Sequence, residues 1–423
     1  MHKTLVVWLC AILLASPARA EDDATGNTLT LKAAIARALT HSAQLQSANA
    51  SLEASKGGRI QAGALPNPEL GAEAENIAGN GIYSGGRSAE VTYGLSQKIE
   101  LGGKRSARED IADHEVDLAT LDYTTTKLNL IRDVTIAYAE VISLNEEWKI
   151  ANETKKLAND ILQTVTKRVD AAREPLVQKS KAEVTLATSQ IEANKLERSI
   201  QIAKKKLAAL WDDSTANYDL EPADFFKIEK PTALTAPQNN PDIARLDAQV
   251  ARSNANLELE KANAIPDLKV SAGVRDFRET NNRAFVIGLS MPIPIFDSNR
   301  GNIVKAQHEA RKSESEKRLA TLNLGTELTR ANQGLETAYE EAEALKNTIL
   351  PAAEKSFQLS REGYQLGKFS YLEVLDSQRT LFDTRRQYNN ALKEYHTRKA
   401  EAERLTAMHL SKTDINGDRN EIR

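Results

Sequence analysis

Residues 104–173 contain no proline and no glycine. Apolar side chains fall there at three- and four-residue spacing or its multiples, at Val134, Tyr138, Val141 and Trp148, the period of one helix face. A helix of about 68 residues, rising 1.5 Å per residue, is about 100 Å long. No single globular core accommodates such a rod, and a periodic helix of this length without caps predicts a coiled coil. The pattern returns over residues 302–366, where Pro351 predicts a kink. Return helices are expected over 175–211 and 371–408. With 5% aromatic and 27% charged residues, the composition favours long helices over a compact enzyme core.

The chain also repeats itself. "ALPNPELGAEAE" from Ala64 is answered by "AIPDLKVSAGVR" from Ala264, and "YGLSQKIEL" from Tyr93 by "IGLSMPIPI" from Ile287. "TIAYAEV" around Tyr138 is answered by "ETAYEEA" around Tyr339. Fixed-offset similarity marks a duplicated unit. The first repeat is expected over 21–211 and the second over 241–409. The Pro-, Asp- and Asn-rich stretch 212–240 is expected to be a linker, and 410–423 a disordered tail.

Each repeat opens with a helical stretch, about 29–63 and 241–264. Two short runs of period two follow, which predict β-hairpins over about 67–99 and 267–295. Ala89, Val91, Tyr93 and Leu95 alternate with polar neighbours, as do Leu268, Val270, Ala272 and Val274, and Phe285, Ile287 and Leu289. Long helical hairpins are then expected over about 104–211 and 300–408. Strands of about ten residues fit either a membrane barrel or an ordinary soluble sheet. Four strands cannot close a barrel, and an open edge cannot sit in lipid. A membrane barrel therefore needs copies: two chains give eight strands, three give twelve with room for a lumen.

The first twenty residues fit a secretory signal: Lys3, a short apolar core, and Ala18-Arg19-Ala20 as a small-x-small cleavage site. The only cysteine, Cys10, lies within it in a poor lipoprotein context, so neither a disulfide nor a lipid anchor is expected. Without Lys3 and Arg19 the chain carries 54 basic and 59 acidic residues, net −5, which argues against nucleic acid. His41, His114, His308 and His396 are scattered without ligand spacing. Met291 and Met408 form no thioether ladder, and "DINGDRNE" lacks the register of a calcium loop. No nucleophile–base set is visible. The sequence therefore predicts no cofactor, no metal centre and no enzyme activity.

"QKIELGGKRSARED" at 97–110 resembles a phosphate loop only superficially. Lys98 stands where the first glycine belongs, and Arg105 follows Lys104 instead of Ser or Thr. Gly102 and Gly103 instead fit a sharp strand-to-helix joint. Cations at a helix start are unfavourable, so Lys104, Arg105 and Arg108 are expected either to meet phosphate head groups or to stand as solvated charges. Glu69, Glu73, Glu75 and Glu90 lie opposite the apolar strand face. They line the lumen if that face meets lipid.

"GALPNPELGAEAEN", "SQKIELGGKRSAR", "AIPDLKVSAGVR", "MPIPIFDSNRG" and "LSREGYQLGKFSYLEVLDSQRTLFDTRRQY" together resemble the TolC-like outer membrane factors, in their heavy-metal, cobalt-zinc-cadmium branch. The resemblance spans about residues 28–408. It implies a mostly α fold with membrane β: long coiled-coil hairpins and a homotrimer with a twelve-stranded outer-membrane barrel above a periplasmic helical tunnel. It further implies a periplasmic adaptor (a membrane fusion protein) and a cation-driven RND-type inner-membrane pump, with heavy-metal cations as cargo. The resemblance places the helical turns 168–176 and 364–372 at the periplasmic tip. Ala171, Ala172, Gly367 and Lys368 would dock the adaptor there, Glu373 and Asp376 would form an acidic ring, and Tyr364 would hold the tip closed. This chain departs from the family at Ala171-Ala172, where glycine is usual, and at Val177, where an acid is common. A channel for drugs or small organics and a soluble periplasmic coiled-coil adaptor are the alternatives.

Overall fold

A computed structural model describes residues 28–235 and 240–409. The signal segment with Cys10, residues 236–239 and the tail from 410 onward lie outside the described residues.

In chain order the elements are β1 (Thr28–Leu29), α1 (Leu31–His41), α2 (Ala43–Ala62), β2 (Glu69–Glu75), β3 (Glu90–Ile99), α3 (Lys104–Asp170), α4 (Leu176–Ala209), β4 (Asp219–Leu220), α5 (Pro241–Asn263), β5 (Leu268–Phe277), β6 (Asn282–Ser290), α6 (Arg300–Ala344), α7 (Leu350–Gln365) and α8 (Tyr371–Leu405). The uninterrupted stretch of the sequence is one helix of 67 residues, α3. With no Pro or Gly to break its ladder it runs about 100 Å. The first helical stretch is instead two helices, because Ser42 turns extended (ψ 122°) between α1 and α2.

Pro351 leaves its mark on the helix through an identifiable device. Its ring can neither donate to the carbonyl four residues back nor pass beside it. One π turn, Leu345–Ile349, opens immediately before it and separates α6 from α7; such a widened turn is a known way to absorb this conflict.

The four long strands form one antiparallel sheet in the order β2-β3-β5-β6. The two hairpins meet where β3 pairs with β5, from Glu90 opposite Phe277 to Ile99 opposite Leu268. β2 and β6 are the edges, and neither has an outer partner among the described residues. The register puts Leu70, Tyr93, Leu95, Val274, Phe285, Ile287 and Leu289 on one face, all exposed, Phe285 at 90%. The sheet has no core beneath it.

The core lies among helices. Leu130, Val134 and Val141 of α3, Leu207 of α4, Leu392 of α8 and Ala34 of α1 are buried together. Trp148, grouped by its spacing with the buried positions of α3, is instead exposed.

The stretch expected as a linker is packed over its described part. Trp211, Tyr218 and Phe225 belong to the main core. β4 pairs in parallel with β1, and the Tyr138 hydroxyl lies 2.9 Å from the carbonyls of both Leu29 and Glu221. Farther along, the Asn332 side chain accepts from the Leu234 amide at 3.0 Å and donates to its carbonyl at 2.8 Å. The segment is a belt strapped around α3, α4, α6 and α8.

Candidate functional site

The two helical turns form one unit. At the first, α3 ends with Ala172 in the left-handed region (φ 56°), the Ala172 amide donating to Val169 O and the Arg173 amide to Arg168 O, both 2.9 Å. At the second, Gly367 has φ 73°, its amide donates to Tyr364 O at 3.0 Å, and the Lys368 amide donates to Gly363 O at 2.8 Å. Both are Schellman endings, which satisfy the orphan carbonyls of the last turn. Only the second has glycine at the left-handed position. Phe369 packs over Gly363, where a β-carbon would strike its ring. Because an L-residue pays about 1–2 kcal/mol to be left-handed, Ala172→Gly is expected to stabilise the first turn. Amide protection over 168–176 in hydrogen exchange should rise about fivefold, equivalent to ~1 kcal/mol; unchanged protection would refute this.

The side chains bind the turns to each other. Tyr364 Oη donates to Glu174 Oε1 at 3.3 Å. Arg168 Nη1 meets the same oxygen at 3.3 Å, and its guanidinium lies 4.2 Å from the Tyr364 ring centre. Tyr371 is buried beside Tyr364, rings 6.1 Å apart, with its hydroxyl unpaired. Burial, with Tyr364 and Glu174 adding, pushes the Tyr371 phenol up to about 12. Burial, then the Glu174 carboxylate, also raises Tyr364. Arg168 and Glu174 lie inside the "RVDAAREPL" turn, but nothing in their spacing marks them as partners of a tyrosine 190 positions away.

Glu373 has a local task. Ser370 caps α8 by accepting from the Glu373 amide, and Glu373 Oε2 accepts from the Ser370 amide at 2.9 Å, a complete capping box. Asp376 is exposed on the same helix. Ala171 and Lys368 are exposed at the two turns.

The strand-to-helix joint is built as a latch. Gly102 and Gly103 both have φ 75°. A β-carbon on Gly102 would lie 2.8 Å from Ile265 Cδ1. Asn299, before α6, takes nearly the same conformation (φ 59°, ψ 16°) as Gly103 (φ 75°, ψ 18°). Neither expectation for Lys104 and Arg108 holds. Lys104 is buried, 8% exposed, and its Nζ lies 2.5 Å from Asp267 Oδ1. Lys98 reaches the other oxygen at 2.9 Å, and the Leu101 amide donates to Oδ1 at 3.2 Å. Asp267, from the second half of the chain, thus supplies the anion that a helix start requires. Arg108 grips Glu100 with two bonds of 2.6 and 2.9 Å. Arg105 alone of the three remains exposed.

Burial alone would raise the Asp267 carboxyl, but the combined bonds from Lys104, Lys98 and Leu101 hold it below the usual range. The Arg108 bonds hold Glu100 down likewise. Folded values below the unfolded ones mean that this stabilisation is present above the ordinary carboxylate range. It is lost as pH falls through the depressed values.

On the polar sheet face, three of the four glutamates have basic partners. Glu69 pairs with Lys269 at 2.7 Å. Arg275 Nη2 meets Glu75 and Nη1 meets Glu90, each at 3.0 Å. Glu73 is exposed and makes no ion pair among the described residues. Both basic partners come from β5, two strands away from β2. Period two gave the shared face but not this compensation.

Among the described residues no cluster of His, Cys, Asp and Glu could hold a metal ion, and no helix is long and apolar enough to cross a membrane. The family model described as "Outer membrane efflux protein" matches residues 34–212 and 234–407. The chain is 32% identical to the cobalt-zinc-cadmium resistance protein CzcC of Cupriavidus metallidurans over 86% of both chains. It is 25% identical to the nickel-cobalt-cadmium resistance protein NccC of Alcaligenes xylosoxydans xylosoxydans, over 75% of this chain and 71% of that one. The fold is similar to that of the CmeC outer membrane channel of Campylobacter jejuni, with TM-score 0.79 and 14% identity over 91% of this chain and 87% of the other.

Proposed function

Because this chain belongs to the outer membrane efflux protein family, we propose that it is the outer-membrane channel of a tripartite, RND-driven system that exports heavy-metal cations. The observation that carries the reading is the sheet. Its four strands expose one continuous apolar face and leave both edges, β2 and β6, open. Backbone groups at an open edge cannot remain unpaired in lipid. Pairing β2 of one copy with β6 of the next satisfies both edges. Three copies give twelve strands and a lumen, with α3, α4, α6, α7 and α8 extending away as a tunnel of about 100 Å. The like order of elements in the two halves supports an ancestral duplication.

Cargo is assigned from the relatives' names, which are resistances to cobalt, zinc, cadmium and nickel. No energy-converting site is part of this reading: the pump and a periplasmic adaptor supply drive and selection, and the tip around Arg168, Glu174, Tyr364, Glu373 and Asp376 is the gate. Family membership removes the soluble adaptor from consideration.

Deleting the gene is expected to lower tolerance to at least one of zinc, cobalt, cadmium or nickel, measured as the growth-inhibiting concentration. Restoring the gene should restore tolerance. Unchanged metal tolerance with new sensitivity to dyes or antibiotics would overturn the metal assignment in favour of a drug channel. A gel of unboiled outer membranes should show a trimer band that collapses to monomer on heating.

A further inference from the structure

We propose that Arg275 sets the ion selectivity of the channel mouth by neutralising one of two opposed carboxylates; this rests on the channel reading above. Arg275 lies near the end of β5 remote from the helices, two residues before the strand closes at Phe277. Its guanidinium spans three strands. Nε donates to Thr92 Oγ1 at 2.9 Å, Nη1 to Glu90 on β3 at 3.0 Å, and Nη2 meets Glu75 on β2 at 3.0 Å.

Glu75 and Glu90 stand directly opposite each other in the register. Like charges facing across an antiparallel pair repel. A planar fork with fixed donors can hold both at once, which a lysine cannot reproduce. One cation against two carboxylates leaves a single negative charge in each copy, and Glu73, without an ion pair among the described residues and in register with Thr92 beside Arg275, adds a second. The layer therefore attracts cations weakly, with Arg275 in place, and would do so strongly without it. Lower on the same face, Glu69 and Lys269 cancel one for one. Lys98 is drawn off to Asp267, and the facing residues of β6, Asn282, Ala284, Val286, Gly288 and Ser290, carry no charge. The other strand base at that end, Arg283 on β6, lies on the opposite face and pairs with Asp276 at 3.2 Å.

The test is the reversal potential of single channels of the purified full chain in planar bilayers under a potassium chloride gradient. Wild type is expected to be mildly cation-selective. R275A removes three positive charges from a trimer. At low salt, where charge acts over about 30 Å, the cation-to-anion permeability ratio should rise about twofold or more, and at 1 M salt, with a reach of about 3 Å, the difference should vanish. R275A with E90Q restores the original net charge and should return the ratio to the wild-type value. It also removes the repulsion, so it keeps the test alive if R275A alone assembles poorly. Adding E75Q should carry the ratio below wild type. Equal ratios in all four proteins would overturn the role of Arg275 while leaving the channel intact. Absence of any conductance in wild type would overturn the channel reading itself.

Discussion

Phe296→Asp is expected to abolish the proposed trimer. Phe296 is 101% exposed in the single chain, with Ile293 at 75% and Ile295 at 73%. They stand in the "MPIPIF" segment that leaves β6, one of the two open edges. Fully burying such side chains contributes about 1.5–3 kcal/mol each, and a threefold assembly does so three times. A carboxylate placed in that contact loses its hydration without a partner, which costs several kcal/mol more. The unboiled outer-membrane band should shift entirely to monomer, or the protein should disappear by proteolysis. A trimer of normal abundance and heat stability would show that the segment touches no neighbouring copy. A trimer that persists in detergent but leaves the outer membrane would show that it touches lipid.

The second large effect is expected at the tip. Arg168→Ser with Tyr364→Phe removes both groups that converge on Glu174. Hydrogen bonds to a charged group contribute about 1.5–3 kcal/mol, and the cation–π contact about 0.5–1 kcal/mol. Losing even ~3 kcal/mol changes a closed-to-open ratio by about two orders of magnitude. Single-channel conductance and open probability should both rise sharply, and a negative variant, Lys368→Ala, should change neither. Unaltered conductance in the double variant would remove this cluster from the gate.

What the sequence made legible follows from the range of each signal. A helix is written locally, so the 67-residue α3 was visible in the lack of breakers and the spacing of Val134, Tyr138 and Val141. Period two likewise gave the faces of all four long strands. The strap of residues 212–235 has the sequence of a linker because two-residue strands have no period and prolines mimic a spacer. The latch at Asp267 joins residues 163 positions apart in sequence, and charge patterning along one element cannot report that. The acids of the polar sheet face were visible, but the arginine that pairs with two of them sits on a strand in the other half of the chain. Ser370 and Glu373 are a different case: their S-x-x-E spacing is readable as a capping box from the sequence alone. Ala172 gave no signal, since alanine rarely adopts a left-handed backbone.

The absence of any core beneath the sheet dictates an order of biogenesis. Leu130, Val134, Leu207 and Leu392 can come together in water within one copy, so the rods and their strap can mature while the chain is still in transit. In the proposed barrel the strands gain nothing from settling early: their greasy side would need bilayer and their margins sister chains. In the proposed trimer, insertion would thereby be coupled to assembly, and a lone polypeptide would carry an unfinished crown.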